Sequence, residues 1–339
     1  MSESVGSDPA GSQVWDVHGH YLPEKAYDLM RSGPLAIEVG SDGRHSDAIS
    51  IKGTWAGTTV EGLSSLESML GLMKIAGLDR RVLSPPPFSY RYGDDPVETL
   101  RLHRILNDAT AEVVGERSDV FAGLCTVPLQ DPQFAIEEFQ RGMDDLGLQG
   151  VTLGTNVDGR LLSDPALREF FVAVTDRGAP ILVHPEFVPN PRYLDYYLIN
   201  VIGMPVETGT TVANIILSGM LEDLPELRLC FVHGGGIAPY LLGRWTHTWN
   251  VRDDISRDTS RPPSGQLANL YWDNLTHSPE STSFLIRTMG ADHVVLGTDA
   301  PFDVGESHPL ENLNAAPLIT DDDREQVRSR SPLRWLLGP

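Results

Sequence analysis

Eight short apolar runs, each followed by a helix-like stretch, constrain this 339-residue chain more than any other feature. The runs are VWDVH, RRVLS, VFAGLCTV, GVTLG, PILVH, LRLCFVH, ANLYWDN and HVVLGTD. Between them lie amphipathic stretches such as SLESMLGLMKIAG, DPVETLRLHRILNDATAEVVGER and DPQFAIEEFQRGMDDLG. Regular strand–helix alternation implies a parallel sheet, because each parallel strand needs a crossover. Eight such units in about 300 residues fit a (β/α)8 TIM barrel, an α/β fold. A doubly wound sheet would call for GxGxxG after the first strand, and that motif is missing there. The expected organisation is a disordered tail over 1–13, then one barrel over 14–339. A small insertion after strand one, at 36–60, reads as a hairpin around SDGRHSD.

Charge narrows the partners. The formal net charge is −21, so phosphate backbones and anionic membranes are repelled, and no nucleic acid or membrane partner is expected. No apolar run reaches the roughly 18 residues of a membrane span. The N-terminus, MSESVGSDPAGSQ, has neither the basic nor the apolar region of a signal peptide. The two cysteines, Cys125 and Cys230, sit in apolar strand-like runs and read as core thiols. That usage fits a reducing compartment and a cytoplasmic protein.

Polar residues fall at the ends of the runs. The first ends in His18 and His20, the fifth in His184, the sixth in His233 and the eighth in Asp299. Residues two apart on a strand share a face, so His18 and His20 point the same way. In a (β/α)8 barrel the C-terminal strand ends converge on one surface, where such enzymes keep their chemistry. A lone histidine or aspartate at a strand end is usually structural, but four strand ends carrying ligand-type residues in one plane point to one divalent metal. His18, His20, His184 and Asp299 suit Zn2+, with Mn2+ or Fe2+, given extra water ligands, as the alternatives. Asp299 is expected both to bind metal and to handle a proton, and His233 to handle a proton beside the metal rather than ligate it. A phosphate-binding role for Gly234, Gly235 and Gly236 is the weaker alternative, since the rest of a P-loop is missing. The remaining histidines, His45, His103, His247, His277, His293 and His308, receive no role.

These motifs resemble the amidohydrolase superfamily. Within it, VPLQD, PILVHP, MPVET followed by ILSG, CFVHGGG, YLLGRW, RPPS and LGTDAPFDVGE are similar to the group around 2-amino-3-carboxymuconate-6-semialdehyde decarboxylase. The resemblance implies one divalent metal and no organic cofactor. It implies nonoxidative loss of CO2 from a small muconate-type or hydroxybenzoate-like carboxylic acid. A hydrolase of a C–C, lactone or amide bond, or a hydratase, would use the same site. GVTLGTN lacks the lysine that bridges two metals in other branches, which fits a mononuclear centre.

Arg244, in YLLGR, matches an arginine that in the muconate enzyme reaches a substrate carboxylate across a dimer interface, so the resemblance implies a homodimer. Two features depart from the pattern. GTWAGTTVEG holds no second arginine, and Glu186 stands where a tryptophan is frequent. Both suggest a substrate other than the dicarboxylate muconate. Arg244, Glu186 and Tyr197 are the expected substrate-binding residues. Tyr196 and Trp249 are further stacking candidates, for which core packing competes.

Overall fold

The structure is a computed structural model that describes residues 13–40, 48–51, 54–58, 60, 62–186, 188–193 and 195–338. The expected 1–13 tail lies outside these residues except for Gln13. Eight strands are parallel neighbours in one sheet: β1 (Trp15–His20), β2 (Arg80–Ser84), β3 (Phe121–Thr126), β4 (Gly150–Gly154), β5 (Pro180–His184), β6 (Arg228–Phe231), β7 (Leu270–Asp273) and β8 (Val294–Val295). The last closes on the first. Val17 N–H donates to the Leu296 carbonyl at 2.9 Å, His20 N–H to Ala300 at 2.8 Å, and Asp299 N–H to His18 at 2.8 Å. All eight expected strands are present. The eighth is shorter than its apolar run suggests, because the chain leaves ladder geometry after Val295.

The helices start where the chemistry of their first turn dictates. Asp95, Asp131 and Asp164 each precede a proline, and each carboxylate accepts backbone N–H groups of the following turn. Proline at the first position lacks an N–H that would have gone unpaired there. Among these helices are Pro96–Glu116, Pro132–Asp144, Ala238–Val251 and Pro279–Met289.

Two apolar layers follow from strand alternation. Leu83, Phe121, Val151, Leu153, Ile181, Leu229 and Trp272 pack outward against the helices. Trp15, Val17, Val82, Leu124, Leu182, Cys230, Val232, Tyr271 and Val295 form a second buried cluster with Trp335 and Leu336. This second set fills the barrel. Trp335 and Leu336 come from the last helix, Ser331–Leu337, which packs beside the strand starts and plugs that end. The opposite end stays open for side chains at the strand C-termini. Both cysteines are buried, as expected.

The insertion is larger than a hairpin. Glu38–Gly40, Ala48–Ile51 and Thr54–Thr58 form a three-stranded antiparallel sheet. Residues 41–47, which are the whole of SDGRHSD, lie outside the described residues.

Candidate metal centre

β1 carries both Trp15 and Val17 in the barrel filling and His18 and His20 at the site. Simple alternation would forbid this, since Val17 and His18 would face opposite ways. The strand solves it with a bulge. Asp16 pairs with Arg81, Gly19 with Leu83, so three residues on β1 span two on β2. The extra residue turns the rest of the strand, and His18 and His20 face inward with Val17.

Asp16 pins this bulge. Its carboxylate accepts His18 N–H at 3.0 Å, Arg81 Nε at 2.8 Å, Thr298 N–H at 3.1 Å and Thr298 Oγ1 at 2.7 Å. Asp16, Arg81 and Thr298 are all buried. Gly19 lets Arg81 pass: a Cβ there would lie 2.5 Å from Arg81 Cδ.

The remaining residues arrive from strand ends. His184 closes β5 and Asp273 closes β7, while His233 and Asp299 follow β6 and β8. His233 and Asp299 hold positive φ values of 55° and 57°. Such backbone is costly for non-glycine residues and tends to persist where function requires it. Gly297 is tightly hemmed, since a Cβ would sit 2.8 Å from Asp273 Cβ and 3.0 Å from His18 Cβ.

The geometry assembles all five expected residues. Ligand-type atoms of His18, His184, His233 and Asp299 lie within 4.8 Å of one another. His20 joins them through Nε2, 2.8 Å from Asp299 Oδ1. His233 Nε2 lies 3.5 Å from Asp299 Oδ2. The ring centroids of His18 and His20 are 5.1 Å apart, and those of His184 and His233 5.2 Å.

The donor set fits a metal. His18 Nδ1–H donates to Asp273 Oδ2 at 2.8 Å, which leaves the Nε2 lone pair facing the cluster. That Nε2 is buried without a hydrogen-bond partner. His184 Nδ1–H donates to the Pro185 carbonyl at 3.1 Å, with the same consequence for its Nε2. The charges agree. Burial works against a proton on His18, but Asp299 and Asp273 outweigh it and raise its pKa to about 10. A position where two buried carboxylates demand positive charge favours a cation of any kind. Burial also opposes ionisation of Asp299, yet His18, His20 and His233 together hold its carboxyl well below the usual carboxylate range. His184 is pushed well below an ordinary histidine by burial and then by its histidine neighbours, so it stays a neutral lone-pair donor.

Two connected chambers lead to the centre. The inner one is walled by Phe88, His184, Tyr197 and Phe302, whose ring meets His20 edge-on at 5.3 Å. Gly57 of the insertion also lines it, so the insertion does reach the site. The outer chamber, of about 720 Å³, is walled by Tyr240, Leu275, Thr276, His277 and Phe284. Asn200, Met204, His233, Asp299, Asp303 and Val304 border both.

The expected substrate-binding residues divide. Tyr197 lines the inner chamber. Glu186 does not reach the chamber walls. It packs over Gly154, with Tyr92 beside it, and its N–H donates to Thr155 Oγ1 at 2.9 Å. Arg244 is exposed on the helix Ala238–Val251 and is not among the residues lining either chamber. Tyr196 is 87% exposed and Trp249 donates to Thr259 Oγ1 at 2.7 Å, so neither stacks in the site. His277, given no role from the sequence, lines the outer chamber. Asp273 was missed, although its signal was visible: a carboxylate closing the apolar run ANLYWDN, in the same plane as the others.

A family model described as Amidohydrolase matches residues 15–337. The chain belongs to the amidohydrolase family. The 2-amino-3-carboxymuconate-6-semialdehyde decarboxylase of Dictyostelium discoideum is 35% identical to this amidohydrolase over 261 residues, 76% of this chain and 73% of the relative. The gamma-resorcylate decarboxylase of Rhizobium sp. (strain MTP-10005) is 28% identical, covering 77% of this chain and 84% of the relative. The crystal structure of 5-carboxyvanillate decarboxylase LigW from Sphingomonas paucimobilis superposes with a TM-score of 0.81 at 21% identity, covering 96% of this chain and 99% of that one. The resemblance read from the motifs holds: the protein is an enzyme of the amidohydrolase superfamily, of the decarboxylase type. No helix among the described residues is long and apolar enough to cross a membrane.

Proposed function

We propose that this amidohydrolase is a metal-dependent nonoxidative decarboxylase acting on a small aromatic, hydroxybenzoate-like or muconate-type carboxylic acid. The observation that carries this reading is the cluster of four imidazoles and Asp299, buried apart from the half-buried His233, with His18 Nε2 making no hydrogen bond and lying 3.3 Å from Asp299 Oδ1. His18, His20, His184 and Asp299 would hold one divalent ion, for which a nitrogen-rich set favours Zn2+ and Mn2+ would call for added oxygen donors. When bound, the ion supplies positive charge that fixes the substrate carboxylate and draws off electron density as CO2 leaves.

The chain's own groups handle the proton. When the C–CO2 bond breaks, its electron pair stays on the substrate carbon, and a proton must arrive there. His233 Nε2 and Asp299 Oδ2, 3.5 Å apart, form the pair that can carry it. No oxidant enters this balance: the carboxylate and one proton become CO2 and a C–H bond. Phe302, Phe88 and Tyr197 supply apolar walls against which a flat ring can lie and from which water is excluded.

We also infer a cytoplasmic homodimer. The exposed position of Arg244, outside the lining of both chambers, supports it, because an exposed arginine there is available to a partner's site. The buried free thiols of Cys125 and Cys230 support a reducing environment.

The test is elemental analysis of the purified protein together with CO2 release from hydroxybenzoates and muconate semialdehydes. About one Zn2+ or Mn2+ per chain, lost in folded His184→Ala and Asp299→Ala variants along with CO2 release, is the expected result. Water addition or bond hydrolysis without CO2 would overturn decarboxylation, and a reconstituted protein without metal would overturn the centre itself.

A further inference from the structure

Asp303 occupies a singular place on the substrate path. It lies four residues beyond Asp299, on the loop after β8, and borders both the inner and the outer chamber. Its carboxylate is exposed to the solvent that fills the mouth. Asp303 forms no ion pair among the described residues, so its charge is not cancelled locally. Nor is any lysine or arginine among the described residues that line either chamber. The other ionisable groups among the described residues bordering the path are Asp299, His184, His233, His277, Tyr197 and Tyr240. Asp299, His184 and His233 belong to the candidate metal centre, which leaves Asp303, among the described residues, as the carboxylate that a substituent beyond the reacting carboxylate would meet.

We propose that Asp303 is a specificity-determining residue that confines this site to monocarboxylic acids, by repelling any second carboxylate held between the two chambers. The inference rests on the decarboxylase reading and narrows it, favouring hydroxybenzoate-like monoacids over dicarboxylates of the muconate type. One carboxylate of the substrate is drawn to the metal centre. A second, on the same flat ring, would project past His233 towards the shared border where Asn200, Met204, Asp303 and Val304 lie. Two like charges held at this partly apolar border repel, an effect that solvent and salt at the exposed Asp303 weaken without abolishing. Neutral substituents, whether hydroxyl, methoxyl or alkyl, escape that penalty, and the wide outer chamber has room for them.

The experiment compares two acids that differ only in the second carboxylate: 2-hydroxybenzoate and 4-hydroxyisophthalate. Binding to the full-length, metal-loaded protein is measured by titration calorimetry, and CO2 release is followed in parallel. The wild type should bind the monoacid at least about tenfold more tightly, and Asp303→Asn should narrow that ratio about fivefold or more. Raising the salt concentration should narrow the wild-type ratio too, since the discriminating charge is open to solvent. Asp303→Ser, which removes the same charge with a different shape, should agree with Asp303→Asn. An equal ratio in wild type and both variants would overturn the proposal, as would a wild-type preference for the diacid. Discrimination in binding without CO2 from either acid would support the filter while sinking the decarboxylase reading, so the two failures are distinguishable.

Discussion

At the residue scale the centre depends on a carboxylate that touches no substrate. Asp273 fixes the His18 tautomer, and its other oxygen accepts Gly234 N–H at 2.8 Å, tying β7 to the turn that begins with His233. Asp273→Ala should therefore weaken metal binding about 10- to 100-fold, measured by competition with a chelator of known affinity. Asp273→Asn keeps an acceptor for His18 Nδ1–H and should lose less. Equal losses would mean that charge, not tautomer control, is what Asp273 provides. Gly297 gives a packing counterpart. A methyl group there would press on Asp273 and His18, so Gly297→Ala should cost about 1 to 3 kcal/mol in urea unfolding and lower metal affinity as well. Four of the six polar residues gathered at the centre were legible as candidate strand-end ligands because the strands are unmistakably apolar. His233 was legible for the same reason. Asp273 was equally visible in principle, but an aspartate after a strand more commonly caps the next helix.

At the element scale the bulge in β1 and the long helix Pro96–Glu116 carry the testable consequences. Arg81 balances the Asp16 carboxylate in a fully buried setting, and removing one partner leaves an uncompensated buried charge. Arg81→Met should destabilise the fold by about 3 kcal/mol, read by urea denaturation. It should also misplace His18, so metal affinity should fall in the same variant. The helix is tied to the turn after β2 by His103, whose Nε2–H donates to the Ser89 carbonyl at 3.1 Å while Nδ1 is buried without a partner. Burial lowers the His103 pKa from 6.5 to about 4, only partly opposed by its bonds to Ser89 and Tyr90. The folded pKa lies below the unfolded one, so this contribution is complete above pH 6.5 and is lost as pH falls towards 4. Between those limits it amounts to about 3 kcal/mol. His103→Gln should flatten the stability profile of the protein over that window by about this amount, and an unchanged profile would refute the neutral, buried assignment.

At the scale of the whole molecule the metal should act as a staple. The donors proposed for it come from β1, from the end of β5 and from the segment beyond β8, so a bound ion would tie the seam where the barrel closes. Chelation should lower the melting temperature, and restoring Zn2+ should recover it, because a ligand of the native state stabilises by mass action. Calorimetry with and without chelator measures this, and an unchanged melting temperature would mean that the seam is held by Asp16, Thr298 and the backbone ladder alone.

The sequence by itself determined the alternation of strands and helices, hence the barrel, and the kind of chemistry gathered at one end. Both are local properties: an apolar run of a few residues declares a strand, and an Asp–Pro pair declares the start of a helix. Of the substrate-binding candidates, Tyr197 lines the inner chamber, whereas Glu186 and Arg244 line neither chamber. Only the tertiary structure decided the rest. The bulge at Asp16 depends on Arg81 and Thr298, which are distant in the chain. The closure that brings Asp299 against His18 is a backbone bond across 281 residues. The place of Asp303 between two chambers depends on loops from several strands meeting. No window of sequence contains those contacts, because they exist only once eight strands have curled far enough for the last to find the first.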